Sequence, residues 1–195
     1  MAESPASTDV EVASGALVMI GASPITSFTE DTTESLVAAN IYEDVARDAL
    51  TASRWRFATN QAELNRLTAE PTARWTAAYQ KPDGIIQLHA VTINDVPIAY
   101  DTYGDKIYCD ASTNDTVVAD YTYRADEADW PSYFILAMQM ELASIFAISV
   151  ARDSALSRLY DDKFERFLAR AKSRDSQQQT NRKLTTNRFI AQRRS

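Results

Sequence analysis

The sequence has little of the chemistry on which enzyme active sites are built. Its 195 residues include one cysteine, one histidine and four glycines. The single cysteine, Cys109, excludes an internal disulfide framework and indicates a reduced cytoplasmic product. Cys109 and His89 cannot by themselves form a zinc site of standard composition within one chain. The scattered glycines form neither a phosphate-binding loop nor a nucleophile elbow, so we predict no catalytic, metal-binding or cofactor-binding residue.

Long apolar runs and a secretion signal are also missing from the sequence. Apolar stretches such as residues 145–151 are far shorter than the roughly 20 residues that cross a bilayer. The N-terminus, residues 1–5, has no basic flank followed by an apolar run. We therefore expect no membrane contact and synthesis in the cytoplasm.

What the sequence does have is the composition of a globular domain and an uneven charge. Hydrophobic residues make up 45% of the chain and the net charge is −7, which argues against nucleic-acid binding by the chain as a whole. Residues 170–195 hold eight basic residues and one acid, Asp175, so this part carries +7 and the remainder −14. We predict that this tail docks by charge on another copy or on an acidic neighbour, although a solvated tail without a partner fits the composition equally well. The predicted docking residues are Arg182, Lys183, Arg188, Phe189, Arg193 and Arg194.

Helical and strand periods divide the chain into five segments and predict an α+β fold. In this prediction a helical bundle is interrupted by a small antiparallel β insertion and followed by an extended tail. The predicted segments are a flexible N-terminal arm (1–14), the N-terminal helical part (15–82), the β insertion (83–124), a C-terminal helical hairpin (125–174) and an extended basic tail (175–195).

Local signals place the helices within these segments. A long helix is predicted over residues 33–54, with Asp31 and Glu34 as its capping pair. Trp55 and Phe57 follow it, and two large rings at one helix end most simply anchor that helix to a core. Asp153 is predicted to cap the second helix of the C-terminal hairpin.

The β insertion is predicted from four short β-rich runs, residues 84–91, 97–100, 106–109 and 116–123, with turn signals between them. His89 lies in the first run, where a histidine is most simply structural. Five tyrosines cluster in this region, and core packing is favoured over a protein interface for them. They are Tyr100, Tyr103, Tyr108, Tyr121 and Tyr123.

Two functional alternatives rest on charged residues alone. Neighbouring acids have the composition that a paired-carboxylate hydrolase needs, although a solvated acidic surface explains them more simply. These pairs are Glu30 with Asp31, Glu43 with Asp44, and Asp126 with Glu127. The basic tail could instead bind nucleic acid through phosphates, but Phe189 is its only aromatic residue, so contact with protein is favoured.

The order of several short motifs resembles the tail tubular protein A family, the head-to-tail adaptors of short-tailed phages, and related connector proteins. The resemblance covers roughly residues 15–175. Its motifs are residues 16–21 with 23–25, a long helix containing Tyr42 and Leu50, Trp55-Arg56-Phe57-Ala58, Trp75, Tyr79 and Pro82 before the insertion, Tyr121, and Trp130-Pro131.

This resemblance implies a structural subunit of the virion rather than an enzyme. Twelve copies would form a ring between the portal protein and the tail nozzle or tail tube protein. DNA would pass through the channel of that ring without sequence-specific contact. Some members of the family have been credited with cell-wall hydrolysis, so a peptidoglycan-hydrolysing tail protein is the alternative.

Overall fold

The computed structural model describes residues 8–69, 71 and 74–178, and it confirms the predicted α+β class. Four helices are joined to two small antiparallel sheets. The helices are α1 (Asp9–Met19), α2 (Thr33–Thr51), α3 (Ser132–Ser149) and α4 (Ser154–Gln177). The strands are β1 (Thr59–Glu63), β2 (Ala77–Gln80), β3 (Ile85–Ile93), β4 (Val96–Pro97), β5 (Tyr100–Tyr103), β6 (Lys106–Cys109) and β7 (Val117–Tyr123).

Helix α1 begins earlier than the sequence analysis predicts. Residues 9–14 were predicted to belong to a flexible arm, and that prediction is wrong because α1 starts at Asp9. The Thr8 hydroxyl accepts the N–H of Glu11 at 3.2 Å, and the Glu11 carboxylate accepts the N–H of Thr8 at 3.1 Å. This reciprocal capping box stabilises the first turn, and Val12 and Ala13 are then buried in the core.

Helix α2 differs from its prediction at both ends. Its N-cap is Thr32, whose hydroxyl accepts the N–H of Ser35 at 3.2 Å, so the predicted capping pair is wrong. The helix ends at Thr51 rather than at residue 54. There the indole N–H of Trp55 donates to the carbonyl of Ala49 at 2.8 Å and satisfies one of the free carbonyls of the last turn.

The predicted hairpin of α3 and α4 is confirmed, and α4 is longer than expected. Asp153 caps α4 by accepting the N–H groups of Ala155 and Leu156. The helix continues to Gln177, so the predicted start of the extended tail at residue 175 is wrong. Asp175 is only 4% exposed and belongs to the folded body.

Helix α3 is the centre of the bundle and packs against the three other helices. Apolar residues surround it on nearly all sides, and eight of its side chains are buried. Among the described helices, α3 alone is long and apolar enough to cross a bilayer. Half of that stretch is buried inside the protein, as expected for the core helix of a bundle.

The β half consists of two sheets, with strand orders β1-β7-β3-β4 and β2-β6-β5. Strands β1 and β2 lie within residues 15–82, which were predicted to be helical, so that prediction is wrong beyond residue 58. Strand β1 pairs with β7 from Thr59–Thr122 to Glu63–Val118, and β2 pairs with β6. Because both partners lie far along the chain, each short strand is stabilised by pairing rather than by its own pattern.

Two predicted turns join neighbouring strands as expected. Asn94 and Asp95, with φ of 50° and 63°, connect β3 to β4, which is the geometry of a tight hairpin. Gly104, with φ of 62°, connects β5 to β6. In β7 the side chains of Val117, Ala119 and Tyr121 are buried in the core of the β half, whereas Val118 and Asp120 between them are only partly buried.

Candidate interaction surfaces and the junction between the two halves

An aromatic cluster packs in the helical core between the end of α2 and the start of α3, where the chain passes from one half of the molecule to the other. The ring of Phe134, at the start of α3, lies 5.1 Å from that of Trp55, 4.9 Å from that of Phe57 and 4.8 Å from that of Trp130. Its contacts with both tryptophans are T-shaped, an arrangement that the ring quadrupoles favour. The predicted anchoring of the end of α2 by Trp55 and Phe57 is therefore confirmed.

Arg124, which follows β7, ties the sheet to the bundle through charge. Its guanidinium lies 3.0 Å from the Glu43 carboxylate on α2 and 2.5 Å from the Glu127 carboxylate, and it stacks over the ring of Trp130. The hydroxyl of Tyr42 donates to Glu127 at 3.0 Å. Burial would lower the pKa of Arg124, but the carboxylates of Glu127 and Glu43 outweigh it and raise that pKa. The guanidinium therefore stays charged in this half-buried position.

Asp175 fastens the end of α4 to the same junction. Its carboxylate accepts the backbone N–H of Arg56 at 3.1 Å and the hydroxyl of Tyr133 at 2.8 Å. Burial and the neighbouring Asp175 carboxylate raise the pKa of Tyr133, which keeps the hydroxyl a donor. One side chain thus holds the end of α4, the link after α2 and the first turn of α3 together.

The six predicted docking residues, Arg182, Lys183, Arg188, Phe189, Arg193 and Arg194, lie outside the described residues. What the structure places is the base of their segment, because Asp175 holds the end of α4 at the junction. Residues 179–195 contain five basic residues and no acid, so residues 1–178 carry −12. The basic segment is therefore attached at the middle of an acidic molecule.

Exposed apolar side chains mark the end of the bundle away from the junction. Val18 is 57% exposed, Ile148 is 58% and Leu159 is 48%. The Tyr160 hydroxyl donates to the carbonyl of Met19 at 2.5 Å, which brings the end of α1 beside α4. Ile148 lies about 22 Å along α3 from Tyr133, at 1.5 Å per residue. We call Val18, Ile148 and Leu159 the distal apolar residues.

The β half exposes its own apolar side chains at the ends of hairpins. Val96, next to the β3–β4 turn, and Tyr103, next to the β5–β6 turn, are both exposed. The ring of Tyr103 packs edge-on against that of Tyr108 at 5.5 Å. Of the five predicted core tyrosines only Tyr121 is buried, and Tyr103 is exposed, so core packing does not explain the whole cluster.

The histidine and the cysteine have structural surroundings. His89 lies in β3, as predicted, and its Nε2 is 2.8 Å from the Thr122 hydroxyl. Burial, followed by the charge of Arg54, lowers the pKa of His89. Burial raises the pKa of the Cys109 thiol to about 11, so the thiol stays protonated at neutral pH. Within the described ranges, no three His, Cys, Asp or Glu side chains come together as a metal site.

Three of the acids considered for a hydrolase, Glu30, Glu43 and Glu127, form hydrogen bonds or ion pairs with neighbouring residues of the fold. Glu30 accepts the hydroxyl and the N–H of Thr26, and Glu43 and Glu127 hold Arg124. Another pair, Asp120 and Asp175, lines a polar cavity of about 660 Å³ between the ends of α2 and α4. Asp175 is occupied by the contacts described above, and Asp120 accepts the Gln61 amide at 2.6 Å.

Glu141 is the notable residue that the sequence analysis missed. Burial, and then the charges of Asp48 and Asp161, raise the pKa of this α3 carboxyl to about 7. Its Oε2 is buried and has no hydrogen-bond partner among the described residues. One sequence signal was available, because Glu141 is the only charged residue in α3.

No family model matches the sequence, and a search of curated proteins finds no match to it. The functional conclusion therefore rests on the residues themselves and on the order of motifs described above.

Proposed function

We propose that the chain is a structural, non-enzymatic subunit of a head-to-tail adaptor, a homo-oligomeric ring between the portal and the tail of a phage-like particle. The observation that carries this proposal is the charge layout. A body of −12 bears a segment of +5, and Asp175 holds the base of that segment at the junction. A molecule with separate acidic and basic parts has complementary surfaces to offer to copies of itself and to an acidic neighbour.

The acidic body suits the wall of a channel through which DNA moves. Phosphates are repelled by carboxylates of like charge, so DNA passes without sticking and without sequence-specific contact. The ring of this proposal has twelve copies, as the resemblance to the adaptor family implies.

Contacts between copies would use the exposed apolar side chains at both ends of the molecule. The distal apolar residues and the hairpin residues Val96 and Tyr103 are among the large apolar side chains that the described part of the chain exposes. Burying such side chains stabilises an assembly by about 25 cal/mol for each Å² removed from water. The β half then faces a neighbour or the tail protein.

The basic segment would bind the portal through its charge. Arg182, Lys183, Arg188, Arg193 and Arg194 supply the charge, and Phe189 supplies an apolar anchor. Contacts of this kind weaken as salt screens them, with a Debye length of about 8 Å at physiological ionic strength.

A truncation after Gln178 tests the docking role without disturbing the fold, since Asp175 remains in place. Portal binding is measured by co-sedimentation for the full chain, for the truncated chain and for a chain in which the five basic residues are replaced by glutamine. Both altered chains should remain folded and bind the portal at least tenfold more weakly. Undiminished binding by both would refute the docking role, and a full chain that neither binds the portal nor self-associates would refute the adaptor itself.

A further inference from the structure

Glu141 occupies an unusual position in the middle of the central helix. The residues that follow it, Leu142 and Ala143, are fully buried in the bundle core, as is Met138 one turn earlier. One carboxylate oxygen of Glu141 is buried without a hydrogen bond from any described residue. An ionised carboxylate in such a place loses its hydration and gains no donor in return.

The charged groups that face Glu141 are acids. Asp48 approaches from α2 and Asp161 from α4. Helix α1 brings Gly15 against the side chain of Gln139, and its charged residues are confined to its first turn. Lys163 of α4 lies over the ring of Tyr160, 4.7 Å from its centre.

No ion pair among the described residues brings a cation to Glu141, Asp48 or Asp161. The acids that the ion pairs engage are Glu43, Asp101, Asp120 and Glu127, none of which faces Glu141. Ionised Glu141 would therefore be repelled from two neighbouring helices at once, while its neutral form is accommodated by the apolar core.

We propose that Glu141 is a proton-controlled latch of the bundle: when it is protonated α4 closes on α3, and when it is ionised α4 loosens. Helix α4 is the element that responds because it is the least buried of the three helices around Glu141. Of its 24 residues only Ser157, Tyr160, Ala171 and Asp175 are buried. This inference does not depend on the proposed adaptor function.

The direction of the effect follows from the raised pKa. The folded bundle holds the proton of Glu141 up to a pH of about 7, whereas the ordinary pKa of a glutamate side chain is 4.5. The stabilisation is therefore complete below pH 4.5 and is lost as the pH rises to about 7. Above that pH the carboxylate is ionised in both the folded and the unfolded state, and the free energy of unfolding no longer varies with pH through this group.

Loosening of α4 has a consequence at the junction. The same helix carries Asp175, whose contacts with Arg56 and Tyr133 fix the base of the basic segment. A latch at Glu141 would thus connect the ambient pH to how firmly Asp175 is held at the junction.

Amide hydrogen exchange in α4 tests the latch. Exchange rates, corrected for the intrinsic effect of pH on exchange, are compared at pH 5 and pH 7.5 for the wild type, for Glu141→Gln and for Glu165→Gln. Glu165 is an exposed acid on α4, so Glu165→Gln is the control. In the wild type and in Glu165→Gln the opening equilibrium of α4 should increase about sixtyfold over this range. In Glu141→Gln this increase should be absent.

The same pH dependence in Glu141→Gln as in the wild type would overturn the proposal. A wild type whose corrected α4 exchange rates do not change with pH would overturn it as well. Should Glu141→Gln fail to fold, Asp48→Asn and Asp161→Asn serve in its place. Each removes one repelling charge and leaves Glu141 present, so each should move the opening transition to higher pH or reduce it. An unchanged transition in both variants would equally contradict the latch.

Discussion

The helical half and the β half of this molecule are built on cores of very different size. The helical core contains 23 buried residues, among them Trp55, Trp130, Phe134 and Phe146, whereas the β core contains ten and its largest members are tyrosines. Since the free energy of unfolding grows with the apolar area removed from water, the bundle should supply most of the stability of the molecule. The smaller β half therefore depends on the junction, where Arg124 pairs with Glu43 of α2 and the hydroxyl of Tyr123 donates to the carbonyl of Phe57.

The largest expected effect comes from breaking the junction at its centre. Phe134→Ala removes the ring that contacts Trp55, Phe57 and Trp130, and it should cost about 3–5 kcal/mol of unfolding free energy. Urea denaturation followed by tryptophan fluorescence measures it. Tyr103→Ala, which removes an exposed ring, is the control and should cost less than about 0.5 kcal/mol. Similar costs for the two variants would contradict the central place of Phe134.

Asp175→Ala should have the next largest effect. It leaves the Arg56 N–H and the Tyr133 hydroxyl without their buried acceptor, which costs about 2–3 kcal/mol. The amide of Asp175→Asn retains one acceptor oxygen, so this variant should recover part of the loss in the same denaturation measurement. If Asp175→Ala is as stable as the wild type, α4 is not fastened to the junction in the way described.

Arg124→Met tests the charged attachment of the sheet to the bundle. It leaves the partly buried Glu127 without its cation, and we expect a loss of about 1–3 kcal/mol. Arg47→Met is the matched control, because Arg47 pairs with the same Glu43 but is half exposed, and it should cost about 0.5 kcal/mol or less. Equal losses in thermal unfolding would show that Arg124 is an ordinary surface ion pair.

The smallest effect comes from the same change made in each core. Ile107→Val in the β half and Ile135→Val in the bundle each delete one buried methylene, for about 1 kcal/mol. Hydrogen exchange should then accelerate only in the β strands for Ile107→Val, but throughout the molecule for Ile135→Val. Acceleration throughout the molecule in both variants would mean that the two halves unfold as one unit.

The sequence predicted those elements whose own pattern is strong. The helical hairpin of α3 and α4, the Asp153 cap and the turn at Gly104 follow from local signals, and each is confirmed. Strands β1 and β2 were missed because they have only five and four residues, too few to show a distinctive period. Their partners β7 and β6 are also distant in the chain. The start of α1 was missed because the capping box at Thr8 was not recognised.

The junction was harder to predict than the fold, because its contacts join residues far apart in sequence. Asp175 meets Arg56 across 119 positions, and Arg124 meets Glu43 across 81. No local sequence pattern predicts either contact, and in the sequence Asp175 looks like the first residue of a polar tail. Glu141 is different, since a single acid within an apolar helix is visible in the sequence alone.

Assembly is the central claim of this account, and electron microscopy of the purified full chain mixed with its portal protein tests it most directly. We predict a closed ring, coaxial with the portal, with the distal apolar residues or the β hairpins at contacts between copies. A chain that remains monomeric and leaves the portal bare would contradict the claim.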